Sequence, residues 1–178
     1  MRGMNSIAKA VTPWAASLGA RVIAVTSTPE KAEKAEELGA SDVIIGYDDV
    51  AKKVRDLTGG VGVDVSLDSV GKRSFEASLS SLKKRGWMIS YGNASGAADP
   101  MPPGRLAAGG SLILTRPTLF SYIETAEDLA RGARHLFAAM KAGTFSADIG
   151  QRFYMRDAGK AHEALESGKT TGATVLMP

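Results

Sequence analysis

Short apolar segments alternate along the chain with longer segments that are apolar on one side only. The short segments are rich in β-branched residues and predict buried strands over 21–26, 43–45, 63–67, 87–91, 111–115, 152–155 and 173–176. The longer segments repeat apolar residues every three or four positions and predict amphipathic helices over 7–18, 29–38, 50–58, 74–85, 126–142 and from 158 onward. This alternation predicts an α/β fold in which helices cover both faces of a parallel sheet.

Capping residues sharpen several of the helix boundaries. Thr28 followed by Pro29 predicts a helix start, and Asp49 and Asp157 stand where side-chain N-caps are expected. Thr125 with Asp128 resembles a capping box and opens the longest helix, whose inward residues we expect to be Leu129, Leu136, Phe137 and Met140. Residues 92–110 are rich in Gly, Pro and Ala and indicate a loop.

Composition narrows the class of protein. With 178 residues and 44% apolar positions, the chain predicts one domain over residues 1–178. It has no cysteine, which excludes disulfides and Cys-ligated metal sites, and we expect no metal. The net charge is only +3, and the longest basic run is Lys83-Lys84-Arg85, so we expect no nucleic-acid partner. No apolar run reaches the ~18 residues of a membrane span, so we predict no membrane partner and a cytoplasmic location.

Open parallel sheets bind ligands at the carboxyl ends of their strands. In this chain the loops at those ends follow residues 25, 67, 91 and 115. After the first of these strands, an enzyme that uses NAD has an Asp or Glu for the ribose 2′-hydroxyl. This chain has Thr26-Ser27-Thr28 there, with Lys31 in the next turn, which favours a 2′-phosphate and therefore NADP. Glu30 in the same turn favours NAD instead. It is an equally good interpretation that Thr28 is only a helix N-cap and that Lys31 is a solvated helix residue.

Other candidates carry weaker signals. Gly59-Gly60-Val61-Gly62 ends a helix before a strand, so we interpret it as a helix C-cap and turn rather than a phosphate-binding loop. The loop over 91–96 suits a backbone that lies against a ligand, although surface turns have the same composition. His135 and His162 have no partner at catalytic or metal-ligand spacing, and no general acid is nominated.

Several segments resemble one family when taken together and in order. They are 67–71 (LDSVG), 85–96 (RGWMISYGNASG), 110–117 (GSLILTRP), 161–163 (AHE) and 172–178 (GATVLMP). In this combination they resemble the zinc-free, zeta-crystallin-like quinone oxidoreductases of the medium-chain dehydrogenase/reductase superfamily. The resemblance covers residues 7–178 and implies a Rossmann-like doubly wound parallel sheet that binds NADP(H).

The resemblance also implies which residues contact the cofactor. Ser27, Thr28 and Lys31 match the loop around the 2′-phosphate, and Ser69 matches a residue along the cofactor. The segments expected beside the nicotinamide are Tyr91, Gly92, Asn93 and Ala94, and Pro117, Thr118 and Leu119. The family's tyrosine and arginine at the adenosine end align with Gly46 and Gly168, so only their neighbours Tyr47 and Lys169 are available as substitutes.

The start of the chain departs from the family. Members have an N-terminal catalytic domain, then a first strand and a glycine-rich turn, whereas Gly3-Met4-Asn5-Ser6 stands here just before the first predicted helix. Without a first strand, two apolar strands in mid-sheet would lack a partner. We therefore expect a fragment, a truncated gene product or a mis-started reading frame.

Three functions follow from the resemblance. The first is NADPH-dependent reduction of a quinone or activated alkene, represented here by the cofactor-binding domain. The alternatives are a non-catalytic nucleotide-binding or interaction remnant and an enoyl or enone reductase. A small quinone or enone is the expected substrate. The family's pairing of the strand at Ser111–Thr115 with its copy predicts a homodimer.

Overall fold

A computed structural model of the chain describes residues 6–147, 149–167, 170 and 172–178. The chain divides into two compact units, one over residues 1–43 and 133–178 and the other over residues 44–132. The described strands are β1 (Ile23–Thr26), β2 (Asp42–Ile45), β3 (Val63–Asp68), β4 (Leu82–Ser90), β5 (Ile113–Thr115), β6 (Ile149–Tyr154) and β7 (Ala173–Met177). No helix in the described ranges is long and apolar enough to cross a membrane.

The described helices alternate with these strands, as the sequence predicts. They are α1 (Ser6–Ser17), α2 (Pro29–Glu37), α3 (Val50–Leu57), α4 (Phe75–Ser80), α5 (Gly104–Ala108), α6 (Leu119–Tyr122), α7 (Ala126–Lys141) and α8 (Ala158–Glu166), with a 3₁₀ turn at Met155–Asp157. The short α5 lies inside the segment predicted as a loop.

In the first unit, α2 follows its sequence signals closely. The Thr28 hydroxyl accepts a hydrogen bond from the Lys31 backbone N–H at 3.4 Å, and Pro29 occupies the first turn. The spacing of Ala32, Ala35 and Leu38 predicts that they face inward, and Ala32 and Ala35 are buried while Leu38 is half-buried. Gly39 follows the helix with φ +93°, a conformation that glycine adopts without strain. The predicted cap, inward face and end of this helix are confirmed.

The other two predicted aspartate caps are wrong in detail. Asp49 and Asp157 both precede helices, but neither side chain bonds the first-turn N–H groups. A side-chain cap needs an extended backbone, whereas Asp49 has φ +54° and Asp157 has φ −102° with ψ +19°. The Asp157 carboxylate instead accepts a hydrogen bond from Lys160 Nζ at 2.8 Å. By contrast, Thr125 Oγ1 accepts the Asp128 N–H at 3.1 Å, as its capping box predicts.

The second unit contains a three-stranded parallel sheet of order β3-β4-β5. Ser66 pairs with Met88, and Met88 pairs with Leu114, so these three residues point to one face of the sheet. Met88 is fully buried there. The core that covers this face is formed by Phe75, Leu79, Leu82, Met88 and Leu112. Helix α4 supplies the first two of these residues because its apolar positions are four apart.

Helix α4 ends at Ser80, well before the predicted end at Arg85. Leu82 begins β4 and pairs with Val63, and the Arg85 N–H donates to the Gly110 carbonyl at 2.8 Å. Arg85 has φ +61°, which a helix cannot accommodate. Backbone partners on neighbouring segments therefore replace the helical bonds that the side-chain periodicity predicts.

Helix α7 forms where it is predicted, but its apolar residues are not inward. Leu129, Leu136 and Phe137 are exposed, with 63% of Phe137 accessible, and Met140 is only half-buried. Periodicity shows which face of a helix is apolar, but it cannot show whether another segment covers that face.

The α/β class with parallel strands is confirmed, but the strands are divided among three sheets. These are β1-β2, β3-β4-β5 and β6-β7, and β6 and β7 are parallel. Within the described residues, β1 and β3 are each edge strands that pair on one side only.

Candidate functional site

The turn after β1 brings a hydroxyl and an ammonium group together. Lys31 Nζ donates to Ser27 Oγ at 2.9 Å, and the cap at Thr28 holds the helix start that carries Lys31. Ser27 is exposed, and Lys31 is half-buried. A hydroxyl and a cation side by side suit a phosphate monoester, since both can donate hydrogen bonds to its oxygens.

Glu30 adds a carboxylate to the same turn. The hydrogen bond from Thr28 lowers the pKa of Glu30, with smaller contributions from its own backbone N–H and the charge of Lys31. Glu30 is therefore ionised at neutral pH. The turn thus holds one cation and one anion, and a bound phosphate would meet attraction from Lys31 and repulsion from Glu30.

The turn after β3 is fixed by Asp68, a residue to which the sequence patterns give no role. Its buried carboxylate accepts four hydrogen bonds. The donors are the N–H groups of Val70 (2.8 Å) and Gly71 (2.9 Å) and the hydroxyls of Ser74 and Ser78 (both 2.7 Å). An aspartate that ends a strand and is followed by Ser-Val-Gly is the signal for such an Asx-type turn.

The loop at 91–96 packs on this turn, which brings Ser69 beside the predicted nicotinamide segment. The N–H of Ala94 donates to the Ser69 carbonyl at 3.2 Å, and that of Ser95 donates to the Val70 carbonyl at 2.7 Å. A Cβ added at Gly92 would lie 2.4 Å from the Ser69 carbonyl oxygen. Gly92 is therefore needed for this close packing, whereas Asn93 and Ala94 are exposed to solvent.

Tyr47 contacts Arg73, a cation for which the sequence patterns predict no role. The guanidinium carbon of Arg73 lies 4.5 Å from the centroid of the Tyr47 ring. The Arg73 N–H donates to Ser95 Oγ at 3.0 Å. The turns after β2, β3 and β4 thus meet in the second unit. The family resemblance places its tyrosine and arginine at Gly46 and Gly168, so it could not predict the contact between Tyr47 and Arg73.

The segment after β5 is attached to the end of β4. Arg116 Nη1 donates to the Ser90 carbonyl at 2.8 Å. Pro117 is half-buried, Thr118 precedes α6 without a side-chain cap, and 67% of Leu119 is exposed. This segment therefore presents apolar and hydroxyl groups to solvent, and its contact with a cofactor stays a prediction.

Three other predicted features have simple outcomes. Gly59 and Gly60 have φ +62° and +86° and end α3, so the interpretation as a helix end and turn is confirmed. His135 and His162 are exposed on helices. Gly3-Met4-Asn5, Gly168 and Lys169 lie outside the described residues. Within the described part of the chain, no group of three or more His, Cys, Asp or Glu side chains could hold a metal ion.

Comparison with protein families decides the assignment. The model of the family described as "Zinc-binding dehydrogenase" matches residues 7–141. The chain belongs to this family. It is 42% identical to a 2-haloacrylate reductase from Burkholderia over 99% of this chain and 53% of the relative. It is also 42% identical to the quinone oxidoreductase of Salmonella typhimurium over 93% of this chain and 51% of the relative.

A solved structure supports the same placement in the superfamily. The Escherichia coli quinone oxidoreductase in complex with NADPH has a TM-score of 0.84 to this family member at 40% identity. The alignment covers 96% of this chain and 53% of that structure. The chain thus spans about half the length of the relatives that it matches. The resemblance to the quinone oxidoreductase branch is confirmed.

Proposed function

We propose that the chain is the NADP(H)-binding part of an NADPH-dependent oxidoreductase that reduces a quinone or an activated alkene. The observation that carries the cofactor choice is the Lys31–Ser27 pair at the carboxyl end of β1, 2.9 Å between Nζ and Oγ. An NAD enzyme has a carboxylate there for the ribose hydroxyl. The relative solved with NADPH supports the same choice.

Each predicted segment has a role in this proposal. Ser27, Thr28 and Lys31 bind the 2′-phosphate, and Tyr47 and Lys169 assist at the adenosine end. Ser69 lies along the cofactor, and its contacts with the loop at 91–96 hold the segment assigned to the nicotinamide. The nicotinamide-side residues are Tyr91, Gly92, Asn93 and Ala94, together with Pro117, Thr118 and Leu119. The interpretation of residues 1–178 as one such domain stays a prediction.

The reduced cofactor supplies a hydride when bound, and the acceptor is a small quinone or enone. The work of this chain's residues is to bind, orient and exclude water. The four hydrogen bonds to the Asp68 carboxylate fix the turn that carries Ser69. The same turn also holds the loop that contains Gly92 and Asn93, so this backbone would be ordered before the cofactor binds. No general acid is proposed.

Two relatives favour different acceptors. Relatives include quinone oxidoreductases and a 2-haloacrylate reductase, whose name indicates an activated alkene. Steady-state NADPH oxidation by the purified chain, with a simple quinone and with an enone in parallel, tests both. Turnover that depends on either acceptor supports the enzyme. Cofactor binding without turnover would instead favour the non-catalytic nucleotide-binding module.

We also propose a homodimer in which β5 pairs with its copy, and a cytoplasmic location. β5 lies at the end of the order β3-β4-β5, so one of its edges has no partner among the described strands. Leu112 is buried in the core, and Leu114 packs against it. The backbone edge and the half-buried Ile113 are therefore the groups that support this contact.

A further inference from the structure

Arg73 is a cation without an anionic partner among the residues that the structure describes. Its guanidinium lies on the ring of Tyr47, and the guanidinium N–H groups make no hydrogen bond to any residue that the structure describes. The neighbouring Lys72 differs, since its Nζ lies 3.4 Å from a carboxylate oxygen of Asp99. Arg73 is exposed, and Tyr47 is half-buried. A positive charge at Arg73 is therefore open to a ligand.

The surroundings of Arg73 hold it in place. Its N–H donates to Ser95 Oγ at 3.0 Å, and that hydroxyl donates to the Val70 carbonyl at 2.8 Å. The Lys72 N–H donates to the Gly96 carbonyl at 2.9 Å. The backbone of Arg73 is thus bonded to the loop after β4, while its side chain rests on Tyr47. Such an arrangement reduces the conformational entropy that binding would cost.

The contact with the Tyr47 ring also leaves the donors of Arg73 available. A guanidinium carries five N–H donors, and the aromatic ring attracts its charge without providing a conventional hydrogen-bond acceptor for them. Two parallel N–H groups match two oxygens of a phosphate. Arg73 follows β3, and Ser95 follows the parallel β4, so both lie near the carboxyl ends of these strands, where open α/β sheets bind ligands.

We propose that Arg73, held on the Tyr47 ring, donates paired hydrogen bonds to a phosphate group of the nicotinamide cofactor. The proposal rests on the function proposed above and adds a cofactor-binding residue to it. The phosphate belongs either to the pyrophosphate that all nicotinamide dinucleotides share or to the 2′-phosphate that only NADP(H) has. The chemistry of recognition is the same in both cases.

The test compares Arg73→Gln with Lys72→Gln, a matched variant that removes the same charge one residue away. Dissociation constants for NADPH and NADH are measured by nicotinamide fluorescence, and circular dichroism checks the fold. We expect Arg73→Gln to weaken NADPH binding about tenfold, as for the loss of a charged hydrogen bond. Lys72→Gln should change it less than about twofold.

The outcomes separate the two sources of phosphate. A loss for NADPH alone assigns the 2′-phosphate, and an equal loss for NADPH and NADH assigns the pyrophosphate. Unchanged affinity for both cofactors in Arg73→Gln would overturn the proposal while leaving the proposed function intact. An equal loss in Lys72→Gln would also overturn it, because only general charge would then matter.

A second measurement does not depend on dinucleotide binding. The Nε–H signal of Arg73 is followed by ¹⁵N NMR during a titration with inorganic pyrophosphate, and Arg73→Gln assigns the signal. A saturable shift supports the contact of Arg73 with a phosphate. Where the chain nevertheless fails to bind NADPH, the nicotinamide cofactor is refuted as the source of that phosphate, and the proposed function is refuted with it. An unshifted signal, with no NADPH binding, would refute both.

Discussion

Lys31 and Ser27 lie four residues apart in sequence, on either side of the first residues of α2. The Thr28 cap sets the direction of the first helical turn, and the Lys31 ammonium then reaches back to the Ser27 hydroxyl at 2.9 Å. From the sequence alone, Thr28 as a helix cap beside a solvated Lys31 is an equally good interpretation. Their contact favours the phosphate interpretation, although the ionised Glu30 in the same turn opposes it.

At this scale we predict that Lys31→Glu weakens NADPH binding at least tenfold and NADH binding much less. The change puts a negative charge where the 2′-phosphate would lie, and a repulsive contact costs more than a lost attractive one. Equilibrium titration with each cofactor measures the two constants. Lys34→Glu, one turn further along α2, is the matched control. Equal losses for NADPH and NADH would show that Lys31 does not contact the phosphate.

At the scale of elements, side-chain pattern and backbone pairing contribute differently. The spacing of Ala32 and Ala35 along the sequence was sufficient to predict the buried face of α2, because residues three apart lie on the same side of a helix. The end of α4 could not be predicted in this way. It depends on the pairing of Leu82 with Val63 and on the left-handed backbone of Arg85, which come from distant residues.

The turn after β3 gives the second prediction. Asp68→Ala leaves two backbone N–H groups and two serine hydroxyls without their buried acceptor, and should lower the free energy of unfolding by about 3 kcal/mol. Chemical denaturation measures this change. Asp64→Ala is the control, because Asp64 is exposed and forms a surface ion pair with Lys83, so its loss should be much smaller. Similar losses in both variants would refute the role assigned to Asp68.

At the scale of the molecule, the alternation of strands and helices was sufficient to predict an α/β fold with parallel strands. The exposure of Leu129 and Phe137 on α7 could not be predicted from the sequence, because periodicity does not show whether another segment covers a helix face. Likewise, the contact of Arg73 with Tyr47 depends on how two turns meet, which no local pattern contains.

Assembly is the third prediction, and it concerns the free edge of β5. Ile113→Lys should convert a dimer into a monomer, because a lysine on an edge strand opposes pairing with another strand. Light scattering at micromolar concentration measures the mass of both proteins. Ile123→Lys, a half-buried position outside the strand, is the control. A monomeric mass for the unchanged chain would contradict the proposed dimer.

The central claim is that this chain binds NADP(H) in preference to NAD(H). The most direct test is a titration of the purified 178-residue chain with NADPH and with NADH, followed by nicotinamide fluorescence. We predict saturable binding of both and a clear preference for NADPH. A folded chain that binds neither cofactor, or that prefers NADH, would contradict the claim.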